Sequence, residues 1–233
     1  MNRPYRYHIK DSYVHWKNGG KGLRLIKKPD EKTLAKAGEH IRAGEVVVYP
    51  TETLYGLGAD ATNADAIRKI FLMKGRLESS PIPVIVADME MLRELVEEVN
   101  LISERLIKSF WPGPLTIIFD AKKSLPAELT AGTGSIGVRI PDSSVAVELV
   151  RAACRPLTAT SANLSGKQPP SSMSEILSQL AKKPAMIIDV GELPSSAPST
   201  VVDPRGKKVK ILRQGAIGEK AIMEVLAGTG ACE

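Results

Sequence analysis

VVVYPTETLYGLGADATNADAIRKIFLMKGR, residues 46–76, carries three patterns in succession. Val46 to Pro50 is a β-branched and aromatic run halted by proline, which reads as a short buried strand. Thr51 to Asp60 is polar and punctuated by glycine, which reads as a loop. From Asn63 onward, Ala66, Ile67, Ile70 and Phe71 recur at helical spacing. Asn63 supplies an N-cap and Gly75 an exit, so the spacing predicts a helix over residues 63–76 with Lys74 and Arg76 at its end. Strand, loop and helix in this order are the repeating parts of α/β folds.

The same reading extends in both directions. Residues 30–43 (DEKTLAKAGEHIRA) form a helix closed by Gly44. Strands are expected in PVIVAD (83–88), GSIGVRIP (134–141) and AMIIDVG (185–191), and WPGPLTIIFDA (111–121) reads as a turn leading into a strand. PLTATSAN (156–163) reads as a strand running into a loop, and STVVDP (199–204) and KVKILR (208–213) as neighbouring strands. Helices are expected over 89–98, 101–109, 143–153, 173–183 and 217–227. Helices and strands mix throughout, with no internal repeat and no break in composition after residue 30. The expectation is one α/β domain over residues 29–233 with a mixed sheet, preceded by an arm over 1–28.

Composition narrows the function classes. The chain has 233 residues, 43% hydrophobic and 25% charged, ordinary for a folded protein with a real core. No apolar run approaches membrane-spanning length, and MNRPYRYHIKDSYVHWK has no apolar core of a secretory signal. Cys154 and Cys232 are the only cysteines, too few for a disulfide framework, so a reducing cytoplasm is expected. The net charge of +6 is lopsided. Residues 1–28 hold eight Lys/Arg against one acid, Asp11, whereas the other 205 hold 24 basic and 25 acidic groups. The basicity belongs to the arm, where Tyr5, Tyr7, Tyr13 and Trp16 interleave with the cations. Such an arm reads either as a frayed tail or added edge strand, or as a segment that touches RNA. The three histidines, His8, His15 and His40, all precede residue 41. A Ser–His–Asp triad or a histidine-bound zinc centre in the main body is therefore not expected. Chemistry there must come from Lys, Arg, Ser, Thr, Asn, carboxylates and backbone N–H groups.

Four polar clusters fall at the ends of expected strands or helices: Thr51–Thr53, Lys74–Arg76, Ser161–Asn163 and Ser199–Arg213. Strand ends are where open α/β sheets hold ligands. Lys74 and Arg76 offer a point charge and a bidentate fork to phosphate or carboxylate, unless they only complement a helix dipole. Ser161 and Asn163 lie two apart and project the same way if extended, unless they form a cap or an Asx turn. Arg139 lies within an apolar strand. Val138 and Ile140 should face the core, so Arg139 faces the other side, towards solvent or a ligand carboxylate. Neither a Walker signature nor a dinucleotide fingerprint is present.

YPTETLYGLGADATN, KGR, WPGPLT, GVRIP, TSANLSG, PSTVVD and LRQG, in this order, resemble the YrdC/TsaC family over about residues 30–220. The resemblance implies a twisted mixed sheet with flanking helices around a deep cationic cavity. It implies threonylcarbamoyl-AMP synthase activity: L-threonine, bicarbonate and ATP are joined and pyrophosphate is released. The product serves threonylcarbamoyl modification of tRNA through a downstream transferase complex, and Mg²⁺ accompanies ATP. By resemblance Lys74, Arg76, Ser161 and Asn163 are catalytic and line the ATP phosphates. Arg213, Ser80 and Ser135 join them on the nucleotide, and Thr53, Arg139, Ala159 and Ser199 form the threonine pocket. Leu77 stands where the family often has proline, and Ile85 where many members have histidine. The chain ends after the first domain, so the longer two-domain form is not expected. The competing expectation is a YciO-like, RNA-binding module without this catalysis.

Overall fold

The computed structural model describes residues 9–10, 13–14, 23–27, 29–75, 80–170, 172–180, 182–193 and 196–227. Arg76, Leu77, Cys232 and most of the basic arm lie outside the described residues. In chain order the elements are β1 (Ile9–Lys10), β2 (Tyr13–Val14), β3 (Leu23–Lys27), α1 (Glu31–Arg42), β4 (Val47–Pro50), β5 (Tyr55–Gly58) and α2 (Ala64–Lys74). Next come β6 (Val84–Ile85), α3 (Met89–Leu95), α4 (Leu101–Phe110), β7 (Leu115–Asp120), α5 (Ala127–Thr130), β8 (Ser135–Arg139) and α6 (Ser144–Ala153). The last are β9 (Leu157–Thr158), β10 (Thr160–Ser161), α7 (Met173–Gln179), β11 (Met186–Asp189), β12 (Thr200–Asp203), β13 (Lys210–Arg213) and α8 (Glu219–Ala227).

The α/β class holds, and the strands divide between two sheets where the sequence suggested one. The first has the order β1-β2-β3-β11-β4-β5-β10 and the second β13-β12-β7-β8-β6-β9. Both are mixed: β11 runs parallel to β3 and β4, and β12 parallel to β7, whereas β4–β5 and β7–β8 are antiparallel. The cause of the division is local. Leu157–Thr158 pairs with β6, and Thr160–Ser161 pairs with β5. Between them the Ala159 N–H donates to the Pro83 carbonyl at 2.7 Å. One extended segment thus changes sheet at Ala159 and ties the two together.

Alternation along the central strands assigns their faces. Val47 and Tyr49 of β4, with Met186 and Ile188 of β11, pack among Ile41 of α1 and Leu149 and Val150 of α6. Val48 and Ile187 face the other way, into the larger core with Ile67 and Ile70 of α2 and Val138 of β8. A period of two along each strand, with apolar residues on both sides, is what a sheet covered on both faces requires.

Helix starts follow the expected chemistry. Asp30 accepts from the Thr33 N–H at 2.8 Å, and Asn63 accepts from the N–H groups of Asp65 and Ala66. Gly75 takes the left-handed conformation that ends α2, at φ 57°. Two segments departed from the sequence reading: β5 lies within the stretch read as loop, and the four-residue helix α5 was not expected. Among the described residues no helix is long and apolar enough to cross a membrane.

Candidate functional site

A cavity of about 400 Å³ opens where the two sheets meet. The β4–β5 connection forms one wall, and its geometry is fixed by a single hydroxyl. Thr51 Oγ1 donates to the Leu54 carbonyl at 2.7 Å and accepts from the N–H groups of Thr53 and Leu54. This local bonding turns the chain without glycine and holds Thr53 against the cavity. The Thr51 and Thr53 hydroxyl oxygens are 3.1 Å apart.

The opposite wall comes from the second sheet. Ile136 and Val138 of β8 point into the core, and Arg139 points into the cavity, as the alternation predicted. Its backbone is anchored on a neighbouring chain segment, because the Arg139 carbonyl accepts from the Val86 N–H at 3.1 Å. The guanidinium is buried and pairs through Nη1 with the Glu52 carboxylate. Nε and Nη2 have no partner among the described residues. Glu52 Oε2 is buried and has no hydrogen-bond donor among them either.

Arg213, at the end of β13, lines the same cavity. Its Nε and Nη2 donate to the Ser199 carbonyl at 3.1 and 2.9 Å, and Nη2 donates to Ser199 Oγ at 3.0 Å. Burial holds its pKa below the ordinary arginine value, and the nearby positive charge of Arg139 lowers it further. Ser199 Oγ also forms a hydrogen bond with Thr116 Oγ1 at 2.9 Å, in which either hydroxyl can donate. The polar part of the cavity wall is therefore made of hydroxyls, backbone and two guanidinium groups, set among prolines and tyrosine rings.

The residues expected at the site divide into two groups. Thr53, Arg139, Ala159, Ser161, Ser199 and Arg213 line the cavity. Lys74 and Asn163 sit behind it. The buried Lys74 ammonium donates to the Ser161 carbonyl at 2.6 Å and to the Asn163 carbonyl at 2.9 Å. Asn163 accepts from Ser161 Oγ and donates to the Leu164 and Lys167 carbonyls. These two residues hold the loop that presents Ser161. Ser80 precedes Pro81, which lines the cavity. Ser135 lies away from that wall, at the opposite end of β8 from Arg139, where its hydroxyl is 2.9 Å from Thr133 Oγ1. Arg76 lies outside the described residues. Ile85 is fully buried among Val47, Leu149 and Leu157, on the helix-covered side of its sheet.

Sequence reasoning missed Glu52 and Thr116. The signal for Glu52 was general: an arginine in an apolar strand needs an acid. That acid lies 87 positions away, and only the fold brings the two together. Tyr49 and Tyr55 also border the cavity, but their hydroxyls are committed. Tyr49 donates to the Thr158 carbonyl at 3.0 Å, and burial pushes its pKa far up. Tyr55 donates to the Gly191 carbonyl at 2.6 Å, and burial is the main cause pushing it up to about 12.

The family Sua5/YciO/YrdC, described as "Telomere recombination", matches residues 39–215. A curated relative from Pyrococcus abyssi named threonylcarbamoyl-AMP synthase is 36% identical over 204 residues, covering 88% of this chain and 60% of that protein. One of the same name from Bacillus subtilis is 37% identical over 198 residues, covering 84% and 57%. The chain thus spans less than two thirds of the length of these relatives. The crystal structure of P. abyssi Sua5 complexed with L-threonine matches with a TM-score of 0.82 at 35% identity, over 87% of this chain and 60% of that one. Matched along most of its length by sequence and by shape, the chain belongs to the Sua5/YciO/YrdC family.

Proposed function

We propose that this protein is a threonylcarbamoyl-AMP synthase. It joins L-threonine, bicarbonate and ATP into threonylcarbamoyl-AMP and pyrophosphate, and a downstream transferase passes the threonylcarbamoyl group to tRNA. The observation that carries this reading is one cavity holding two arginines with different surroundings, the buried Arg139 beside an acid and the more exposed Arg213 among neutral groups. Such a cavity suits two anions of different charge side by side. The relatives named above point the same way.

In this reading the threonine carboxylate takes the unpartnered Nε and Nη2 edge of Arg139 as a bidentate pair. Thr53 and Ser199 offer hydroxyls to the rest of the amino acid. The nucleotide phosphates lie along Arg213 and Ser161, with Lys74 adding positive charge from the end of α2 and Arg76 contributing a further cation. The threonine amine attacks the bicarbonate carbon, water leaves and a carbamate results. A carbamate oxygen then attacks the α-phosphorus and pyrophosphate departs. Threonine orientation falls to Arg139 and nucleotide charge to Arg213, so positioning carries much of the catalysis. The enclosing sheets keep water from the carbamate.

Mg²⁺ belongs in this scheme to the nucleotide substrate. Among the described residues the cavity lining holds no carboxylate, Glu52 beside it is paired with Arg139, and no cluster of three metal-ligating side chains occurs, so these residues do not form a resident magnesium site.

The test is pyrophosphate release from ATP, measured with and without threonine and bicarbonate. Release should require both, and serine should support it less well. Arg139→Gln should raise the threonine KM about 30-fold or more, from the roughly 2 kcal/mol of a charge-assisted contact, with little change for ATP. Release that ignores threonine would refute the assignment.

A further inference from the structure

The two arginines of the cavity are not equivalent. Arg139 is matched by a buried acid, so its end of the cavity is close to neutral. Among the described residues Arg213 meets only the carbonyl and hydroxyl of Ser199 and keeps its full charge. Its lowered pKa, caused by burial and then by Arg139, marks that charge as poorly offset. Glu52 adds a further feature. Its Oε1 faces Arg139, while Oε2 is buried without a donor among the described residues. A buried acceptor in that state is uncommon in native proteins and calls for a reason.

We infer that Glu52 is a specificity-determining residue that sorts the two anionic substrates, keeping polyphosphate away from Arg139 and leaving that end to a zwitterionic amino acid. The inference rests on the proposed function. A triphosphate brought to Arg139 finds that positive charge already offset by Glu52 and gains little there. An amino acid brings one carboxylate and one ammonium and meets almost no net repulsion. At the Arg213 end no acid among the described residues pairs with the arginine. Without Glu52, two bare guanidinium groups would line one cavity, and a polyanion could occupy either end. The turn fixed by Thr51 Oγ1 keeps Glu52 on station, and Ser196 Oγ donates to the neighbouring Thr53 carbonyl at 2.9 Å.

The experiment is calorimetric competition in bicarbonate-depleted buffer, which prevents turnover, with pyrophosphate as the probe. In the unaltered protein, pyrophosphate should weaken ATP binding and leave the Kd of threonine within about twofold. Glu52→Gln keeps the side-chain shape and removes the charge. In that variant saturating pyrophosphate should raise the apparent Kd of threonine about tenfold. Glu52→Asp should behave as the unaltered protein does. Glu52→Ser, smaller and neutral, provides the same readout if Glu52→Gln does not fold. Competition between pyrophosphate and threonine in the unaltered protein overturns the sorting role. So does its absence in a folded neutral variant. If the unaltered protein binds neither ATP nor threonine, the proposed function fails and takes this inference with it. If it binds both and the neutral variant shows no competition, only the sorting role fails.

Discussion

Lys74 illustrates how much one buried charge can organise. Its ammonium replaces the water that the Ser161 and Asn163 carbonyls would otherwise bind. Lys74→Met keeps the bulk and removes the donors. Each carbonyl left dry costs about 1–3 kcal/mol, and for a chain of this size each kcal/mol is worth about 2–4 °C in Tm. Lys74→Met should therefore unfold several degrees earlier in a thermal scan, and ATP should restore less of that loss than it does for the unaltered protein. An unchanged Tm would show that the loop does not depend on this lysine. A second prediction concerns pH. Asp203 is held below its ordinary value of 3.8, chiefly by its hydrogen bonds from Arg205. A carboxyl whose folded pKa is depressed contributes stability above its unfolded pKa and loses it as pH falls through the folded value. Asp203→Asn should cost on the order of 1 kcal/mol at pH 7. The difference from the unaltered protein should shrink below about pH 4, as thermal scans between pH 7 and 3 would reveal.

At the scale of elements, the sequence was legible where a pattern is local and opaque where it depends on a distant partner. The cap at Asn63 and the exit at Gly75 were readable, because each acts within its own turn. So was the turn of Arg139 away from the face of Val138, set by alternation along β8, although the sequence left open whether that side meets solvent or a ligand. The stretch from Tyr55 to Gly58 was misread as loop because of its glycines. The structure gives them another purpose. A Cβ at Gly58 would lie 2.8 Å from Tyr49 Cε1, and one at Gly56 would lie 3.1 Å from Cζ. These glycines make room on β5 for a tyrosine ring of β4, and nothing within five residues announces that need. Gly58→Ala should shift the Tyr49 ring, strain its bond to the Thr158 carbonyl and cost about 1–3 kcal/mol by overpacking. Chemical denaturation would measure the loss. The Glu52–Arg139 pair was hidden for the same reason: the chain offers many acids, and only tertiary structure selects one.

Across the whole molecule, the strand change at Ala159 determines where the ligands meet. Because Leu157–Thr158 and Thr160–Ser161 belong to different sheets, the residues presented by each sheet converge on one hollow. Six of the expected residues reached that hollow from distant parts of the chain, which order in sequence could not show. Ser135 missed it because it starts the strand that Arg139 ends.

The placement of β3 has its own consequence. Residues 24–27 lie parallel to Met186–Asp189 over four paired positions, on the side of β11 away from β4. Removing residues 1–28 to probe their positive charge would therefore also strip a neighbour from a central strand. The bared row of amide and carbonyl groups would template pairing with another copy. Such a truncated form should elute as dimers and larger species in size-exclusion chromatography with light scattering, while neutralising the lysines and arginines one by one should leave the elution volume unchanged. Charge neutralisation, rather than the scissors, is the sound way to ask what those cations do.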